Sequence, residues 1–228
     1  MTAEDFLNGQ ILLIDKPLGW TSFDVVNKIR WHLKKVFGLK KIKVGHAGTL
    51  DPLATGLLIL CTGKFTKQID SLQAQRKTYT GTFFLGATTP SYDLETSVDQ
   101  TFAIDHITES ALKNVAKSFE GVIAQKPPVF SAIKKDGKRL YDLARAGKEV
   151  HIEARKVAIY ECRITRIEMP EVDFKVVCSK GTYIRSLAHD FGKALQSGAY
   201  LKTLRRTQIG DYSISDAISV DDFISAVQ

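Results

Sequence analysis

The segment from 45 to 56 restricts the fold of this chain more than any other stretch of its sequence. It reads Gly-His-Ala-Gly-Thr-Leu-Asp-Pro-Leu-Ala-Thr-Gly and so contains three glycines and one proline. Glycine favours conformations outside helices and strands, and proline lacks the N–H that both structures need. The segment therefore predicts a loop of specific shape, preceded by Lys40, Lys41 and Lys43 and followed by an apolar strand at 57–61.

The residues before this loop predict one strand and one helix. The apolar run from Ile11 to Ile14 indicates a buried strand that ends in a Pro-Leu-Gly turn. Thr21 and Asp24 have the spacing of a capping box, so a helix is expected to begin there. Its core-facing stripe comprises Val25, Val26, Ile29, Leu33 and Val36, and Gly38 ends it.

The rest of the chain alternates strands and helices without a regular βαβ repeat. We expect strands at 77–86, 121–125 and 129–134, helices at 105–121, 140–144 and 182–195, a turn at 136–137, and an antiparallel meander at 150–176. This order predicts an α+β fold on a largely antiparallel sheet. A single catalytic domain is expected at 1–216, with 217–228 as a short tail too small for a further domain.

Composition and charge restrict the partners. The 228 residues are 44% hydrophobic and 25% charged, which is ordinary for a globular protein. The net charge of +7 favours a polyanionic partner, with nucleic acid as the leading candidate. No apolar run approaches the roughly 20 residues of a membrane span, and no signal peptide is evident, so we expect a cytoplasmic protein without a membrane partner. Three widely spaced cysteines predict neither a zinc site nor disulfides.

Four residues are candidates for chemistry. Asp51 lies in a glycine-bordered loop that can present a carboxylate to a ligand, although an Asx-turn aspartate fits the same pattern. Arg185 follows a Lys-Gly-Thr-Tyr-Ile step into a helix and can hold a carboxylate by two hydrogen bonds, or simply contact solvent or phosphate. Tyr79 suits stacking on a base but also suits a core. His46 shares the Asp51 loop, and no metal-binding spacing accompanies it.

Two basic clusters suit phosphate contacts that position RNA without reading its sequence. The residues are Lys134, Lys135, Lys138, Arg139 and Arg145 in the first cluster, and Lys202, Arg205 and Arg206 in the second. Clusters of this kind are also common on solvated faces.

Read together, these segments resemble the TruB-type family of bacterial tRNA pseudouridine synthases. The resemblance spans nearly the whole chain. It rests on Asp15-Lys16-Pro17 with Gly19-Trp20-Thr21-Ser22, Gly45 through Gly56, Lys77-Thr78-Tyr79, Gln125-Lys126-Pro127-Pro128 with Phe130-Ser131-Ala132 and Lys134, Gly137 with Arg139, Tyr141 and Arg145-Ala146-Gly147, Cys178 through Arg185, and Leu204-Arg205-Arg206.

The resemblance implies a pseudouridine synthase fold and conversion of the T-loop uridine at tRNA position 55, without cofactor or metal. It assigns Asp51 as the catalytic aspartate, Tyr79 as the residue packed on the target base and Arg185 as the ionic partner of Asp51. The remaining assignments are RNA contact near the flipped nucleotide by His46, bracing of the active-site loop by Lys16 and Pro17, and a wall of the uracil pocket formed by Leu204. The expected partner is tRNA alone, bound by a monomer that needs no protein partner.

Two features depart from the family pattern. Members commonly carry a further RNA-binding domain of the PUA kind, which the residues after Asp216 are too few to form. The segment 87–96 keeps Asp93 but has Pro90-Ser91 and Thr96 where a Thr-Asp-like step and a glycine are expected, so its geometry is expected to differ. A non-catalytic RNA-binding module and a guide-RNA-dependent modifying subunit are the alternative functions.

Overall fold

The computed structural model describes residues 1–130 and 152–228, together with the short strands at 134–135 and 138–139. The described chain divides into two compact units by its internal contacts. Unit 1 comprises residues 1–80 and 204–228, and unit 2 comprises residues 81–203. The expected catalytic domain, 1–216, thus draws on both units.

The helices of the described residues are α1 Ala3–Asn8, α2 Ser22–Val36, α3 Ile69–Ala74, α4 Glu109–Ser118, α5 Ile184–Ala194 and α6 Val220–Ala226, with 3-10 helices at Gly63–Gln68 and Ile214–Asp216. The strands are β1 Ile11–Lys16, β2 Val44–His46, β3 Ala54–Thr62, β4 Lys77–Leu85, β5 Ala87–Thr88, β6 Gln100–Thr101, β7 Gly121–Gln125, β8 Lys134–Lys135, β9 Lys138–Arg139, β10 Arg155–Glu168, β11 Glu171–Cys178, β12 Ala199–Ile209, β13 Tyr212–Ser213 and β14 Ile218–Ser219. No helix of the described residues is long and apolar enough to cross a membrane.

Strand β3 organises the sheet of unit 1. It pairs antiparallel with β1, and β14 lies parallel on the far side of β1. Its first residues pair in parallel with β12 and its last residues pair antiparallel with β2. The loop from β2 to β3 contains Asp51. It leaves a strand that is paired with β3 and then runs directly into β3, so both of its ends are fixed by the same strand.

Both faces of β3 are buried, which explains its continuous apolar sequence. Leu58 and Leu60 pack in one cluster with the buried stripe of α2, while Leu57, Ile59 and Cys61 pack in a second cluster. Strands that are covered on both faces lose the polar alternation of half-exposed strands. The capping box of Thr21 and Asp24 at the start of α2 is present, which confirms that prediction.

Residues 217–228 pack as part of unit 1. Strand β14 extends the sheet beside β1, and α6 buries Phe223. The His32 Nε2 atom lies 2.6 Å from the carbonyl oxygen of Val227. The segment expected as a short tail thus contributes side chains to the core.

Unit 2 is built on the antiparallel strands β10 and β11, with β7 on the other side of β10. Phe83 of β4 stacks on Phe174 of β11 at 4.0 Å and lies 5.1 Å from Phe191 of α5, measured between ring centroids. Aromatic clusters of this kind bury large apolar areas. The sheets of the two units are mixed and largely antiparallel and carry helices, which confirms the predicted α+β class.

Some predicted elements lie outside the described residues, namely the turn at 136–137 and the helix at 140–144. The strand predicted at 129–134 is wrong at its start, because Val129 and Phe130 belong to no strand. They directly follow Pro127 and Pro128, which cannot donate to a strand ladder.

Candidate active site

The Asp51 loop, residues 47–53, joins β2 to β3 in unit 1. Its residue Ala47 donates a backbone hydrogen bond to Ile59 O at 2.9 Å, and Ala54 N donates to Asp51 O at 3.0 Å. Leu50 is buried, Asp51 is half-buried and Pro52 is exposed. The loop therefore anchors one neighbour of Asp51 in the core and leaves Asp51 itself only partly buried.

A buried lysine ties this loop to the turn after β1. Lys16 is fully buried, and its Nζ donates to the carbonyl oxygens of Pro17 at 2.8 Å, Trp20 at 2.6 Å and Pro52 at 3.4 Å. Burial lowers the pKa of Lys16 to about 8, and the negative charge of Asp51 opposes that shift. Lys16 therefore links the loop to the turn after β1, and the negative charge of Asp51 acts on its ammonium group.

The start of α2 provides a second anchor. The Ser22 hydroxyl accepts a hydrogen bond from Leu50 N at 2.8 Å and donates to Leu50 O at 3.1 Å. Both backbone groups of the residue before Asp51 are thus held by one buried side chain. Gly19 N also donates to Pro52 O at 2.8 Å, on the other side of Asp51.

Arg206 of β12 is the third anchor, and its position corrects one prediction. Its guanidinium donates to Leu57 O at 2.8 Å, Gly48 O at 3.1 Å and Thr49 O at 3.4 Å, and the residue is 1% exposed. The prediction that Arg206 contacts RNA phosphate is wrong, because a buried guanidinium bonded to three carbonyl oxygens cannot reach a phosphate. Arg206 instead holds the Asp51 loop.

The neighbouring Arg205 is half-exposed and already has a carboxylate partner. Its two terminal nitrogens donate to the Asp15 carboxylate at 3.1 and 2.6 Å. Strand alternation places Arg205 and Arg206 on opposite faces of β12. Phosphate contact by Arg205 stays a prediction.

Gly56 is required by the close approach of β12. Its φ angle is +104°, and a Cβ atom there would overlap the backbone of Arg206. Larger residues are strained at such angles. The glycine spacing of the loop therefore reflects both its shape and its contact with β12.

His46 ends β2 and pairs in register with Leu60. Its Nδ1 atom is buried without a hydrogen-bond partner among the described residues. Burial, and secondarily the charge of Arg206, lower the pKa of His46, which favours a neutral ring. RNA contact by His46 stays a prediction.

Leu204 and Tyr79 belong to the strand portions of unit 1. Leu204 pairs in register with Ala54, three residues after Asp51, and is half-buried. Tyr79 of β4 is 8% exposed. Leu204 is thus placed near the Asp51 loop through strand pairing, and the base contacts of both residues stay predictions.

Arg185 occupies the first turn of α5 in unit 2 and is buried. Its Nε lies 3.6 Å from Asp93 Oδ2, and its Nη1 donates to Ser91 O at 3.4 Å. The sequence did not predict this pairing, because Asp93 precedes Arg185 by 92 positions. The predicted pair of Asp51 and Arg185 joins residues of the two units and stays a prediction.

The 89–96 loop of unit 2 is held by hydroxyl groups. The Ser91 and Thr96 hydroxyl oxygens lie 2.8 Å apart, and Thr89 Oγ1 donates to Asp93 O at 2.6 Å. Tyr92 has a φ angle of +64° and stacks on His189 of α5 at 4.0 Å. The residues that depart from the family pattern thus bond to each other.

The first basic cluster is only partly described. The strands β8 and β9 pair Lys134 with Arg139, and Arg145 lies outside the described residues.

Among the residues that the structure does describe, no group of three or more His, Cys, Asp and Glu side chains is arranged to hold a metal ion.

Comparisons with known proteins place this chain in a family. Residues 34–184 match the TruB family pseudouridylate synthase N-terminal domain, and 185–228 match the tRNA pseudouridylate synthase B C-terminal domain. The chain is 63% identical to tRNA pseudouridine synthase B of Flavobacterium johnsoniae over the full length of both proteins. It is 54% identical to tRNA pseudouridine synthase B of Phocaeicola vulgatus, covering 96% of this chain and 93% of that protein.

Solved structures are similar over the same range. A Cbf5-Nop10-Gar1 complex matches with 30% identity and a TM-score of 0.72, covering 99% of this chain and 56% of the matched chain. An H/ACA RNP bound to a substrate RNA containing 2′-deoxyuridine matches with 29% identity and a TM-score of 0.69, covering 96% and 53%. The chain thus spans about half the length of these two matched chains. The predicted pseudouridine synthase fold is confirmed, and the chain belongs to the TruB family of pseudouridylate synthases.

Proposed function

We propose that this enzyme converts the uridine at position 55 in the T loop of tRNA to pseudouridine, with Asp51 as the catalytic carboxylate. The observation that carries the proposal is the fixed placement of Asp51. Lys16, Ser22 and Arg206 hold the backbone on both sides of it, while Asp51 itself is only half-buried. Fixed backbone and an accessible reactive group are what a catalytic loop requires.

The reaction is an isomerisation that balances without a redox partner. The bond from sugar C1′ to base N1 breaks, the base turns, and a bond from C1′ to C5 forms while the C5 proton leaves and N1 gains a proton. A carboxylate can attack the sugar or the base, or remove a sugar proton, and each route requires the charged form. The positive charge of Lys16 favours that form of Asp51.

The target base must leave the T-loop stack to reach Asp51. Extrusion of a base costs a few kcal/mol, and stacking on Tyr79 would recover about 1–3 kcal/mol of it. Leu204 would line the uracil pocket, and Arg185 would grip the Asp51 carboxylate. Lys134, Arg139, Arg145 and Arg205 would contact the phosphates of the stem, since A-form RNA is recognised by shape more than by base edges. Because its substrate is tRNA, we expect the enzyme to act in the cytoplasm.

The test is the Asp51→Asn variant on a T-arm transcript. We expect turnover to fall at least about a thousand-fold while RNA affinity stays within a few-fold of wild type, because the shape of the side chain is kept and its charge is lost. Asp105→Asn, which removes an exposed carboxylate from unit 2, should turn over normally. Retained pseudouridine formation in the Asp51→Asn variant, with circular dichroism unchanged, would remove Asp51 from the mechanism.

A guide-dependent mode is the second candidate, because similar solved structures are complexes with protein or RNA components. We propose instead that the enzyme acts as a monomer without a protein partner. Purified enzyme and unmodified tRNA alone should give stoichiometric pseudouridine. No product under these conditions, with product after adding cell extract, would favour the second candidate.

A further inference from the structure

An open groove of about 640 Å³ runs along α2 in unit 1, and most of its lining plays no part in holding the Asp51 loop. Its lining residues are Gly19, Trp20, Asp24, Asn27, Lys28 and Trp31. Trp31 is 57% exposed, whereas large aromatic side chains are usually mostly buried. An exposed indole in a groove indicates a surface that binds a ligand or a partner molecule.

Two lysine side chains lie beside the exposed indole. The Nζ atoms of Lys28 and Lys35 lie 6.0 and 5.2 Å from the centre of the Trp31 ring, and Lys34 is exposed on the same helix. Among the described lining residues only Asp24 is acidic, and its carboxylate accepts hydrogen bonds from Thr21 at the helix cap. An aromatic face bordered by cations is the arrangement that proteins use to stack a base and hold its phosphate.

The groove begins at the Asp51 loop. Gly19 N donates to Pro52 O at 2.8 Å, and Lys16 Nζ joins the carbonyl oxygens of Trp20 and Pro52. The Ser22 side chain holds Leu50. Trp31 follows Ser22 by nine residues, which is about 14 Å along a helix axis. The groove therefore extends from the residues that flank Asp51 along α2.

We infer that this groove binds the substrate RNA, with an unpaired base stacked on Trp31 and the adjoining phosphates held by Lys28 and Lys35. The identity of the RNA as tRNA rests on the proposed function. The lysines favour RNA over a protein partner, because the centres of protein interfaces are depleted in lysine. Lys28 of the lining, with Lys34 and Lys35 beside it on α2, supplies positive charge that is complementary to a phosphate backbone.

The chain contains only two tryptophans, and both line this groove, so its indole fluorescence reports on the groove alone. The Trp20→Phe variant isolates the emission of Trp31. Titration with unmodified tRNA at low salt should quench this emission, and the quench should saturate at the RNA concentration that saturates a mobility-shift assay. Polyphosphate, which carries charge but no bases, should not quench it. Unchanged emission at saturating RNA, or an equal quench by polyphosphate, would overturn the inference.

Kinetics provide the second test. Trp31→Ala should raise KM for tRNA about five-fold or more with kcat within two-fold, because stacking contributes to binding and not to the chemical step. Trp31→Phe should restore most of the affinity. Matched controls are Phe23→Ala, an exposed aromatic of α2 outside the groove lining, and Lys113→Ala, an exposed lysine of α4. A KM for Trp31→Ala equal to that of both controls would contradict the inference.

The two proposals fail separately. Turnover of a T-arm transcript without any change in Trp31 emission would support the proposed function and contradict RNA binding in the groove. A quench that requires bases, without turnover, would support RNA binding in the groove and contradict the proposed function.

Discussion

The Asp51 loop of unit 1 and the 89–96 loop of unit 2 are both rigidly held, but by different chemistry. Around Asp51, the buried cations Lys16 and Arg206 donate to backbone carbonyl oxygens. In the 89–96 loop, neutral hydroxyl groups bond to each other, and the buried Arg185 lies against the carboxylate of Asp93. One loop is held by positive charge bonded to neutral backbone, and the other by hydroxyl groups together with an ion pair.

This difference bears on catalysis. A buried cation that bonds only neutral carbonyl oxygens keeps most of its field, whereas an adjacent carboxylate cancels much of it. The surroundings of Asp51 in unit 1 therefore favour a negative charge, as the effect of Asp51 on the pKa of Lys16 indicates. In unit 2 the carboxylate of Asp93 lies 3.6 Å from the Nε of Arg185.

Replacing Arg206, one of the two buried cations that hold the Asp51 loop, should have the largest effect. Arg206→Met leaves buried carbonyl oxygens of residues 48 and 57 without their donors, which should lower the free energy of unfolding by about 3 kcal/mol. Turnover should fall as the Asp51 loop loosens. Urea denaturation followed by circular dichroism measures the first effect, and the T-arm assay measures the second.

Arg205→Met is the matched control for that experiment. Its ion pair with Asp15 is partly exposed, so its loss should cost at most about 1 kcal/mol. Equal destabilisation by the two variants would show that the buried cation has no special role in holding the loop.

The contrast between these two arginines shows where the sequence was insufficient. Both belong to one basic cluster and look alike in the sequence. Alternation along a strand predicts that they face opposite sides, but which side is buried depends on the pairing of β12 with β3, a contact across about 150 positions. Long-range pairing of this kind leaves no local pattern.

Local patterns predicted much of the fold. The capping box and apolar stripe of α2, the strand at 121–125 and the meander of β10 and β11 follow from short-range spacing. The Asp51 loop was predicted from its glycines and proline, and its role came from the family resemblance. The partner Asp93 was missed because its contact with Arg185 joins distant parts of the chain.

In unit 2, Arg185→Lys tests the ion pair as a means of orientation. A lysine keeps the positive charge but loses the planar, two-pronged guanidinium. The Asp51 carboxylate, which Arg185 is proposed to grip, should then be misplaced. We expect single-turnover rates about 10- to 100-fold below wild type, with a smaller change in stability than Arg206→Met produces. Arg163→Lys, at a largely exposed arginine of the same unit, should leave the rate unchanged. A wild-type rate for Arg185→Lys would mean that charge alone suffices there.

The smallest expected effect concerns the stack of His189 on Tyr92, which attaches the 89–96 loop to α5. Burial, and then the charge of Lys193, lower the pKa of His189 to about 4, while Asp99 opposes the shift. The unfolded chain binds a proton near pH 6.5, above the folded pKa. Stability should therefore fall as the pH drops from about 6.5 to 4, and this group should add no further loss below that.

Two replacements of His189 separate its titration from its stacking. His189→Phe keeps an aromatic ring on Tyr92 and His189→Gln does not, but neither side chain titrates. In both variants the loss of stability between pH 6.5 and 4 should shrink, by on the order of 1 kcal/mol because the ring is only partly buried. At pH 7 only His189→Gln should be destabilised, since only it lacks the stack. A pH dependence identical to wild type in both variants, measured by urea denaturation, would mean that the acid sensitivity of the 89–96 loop arises from other groups.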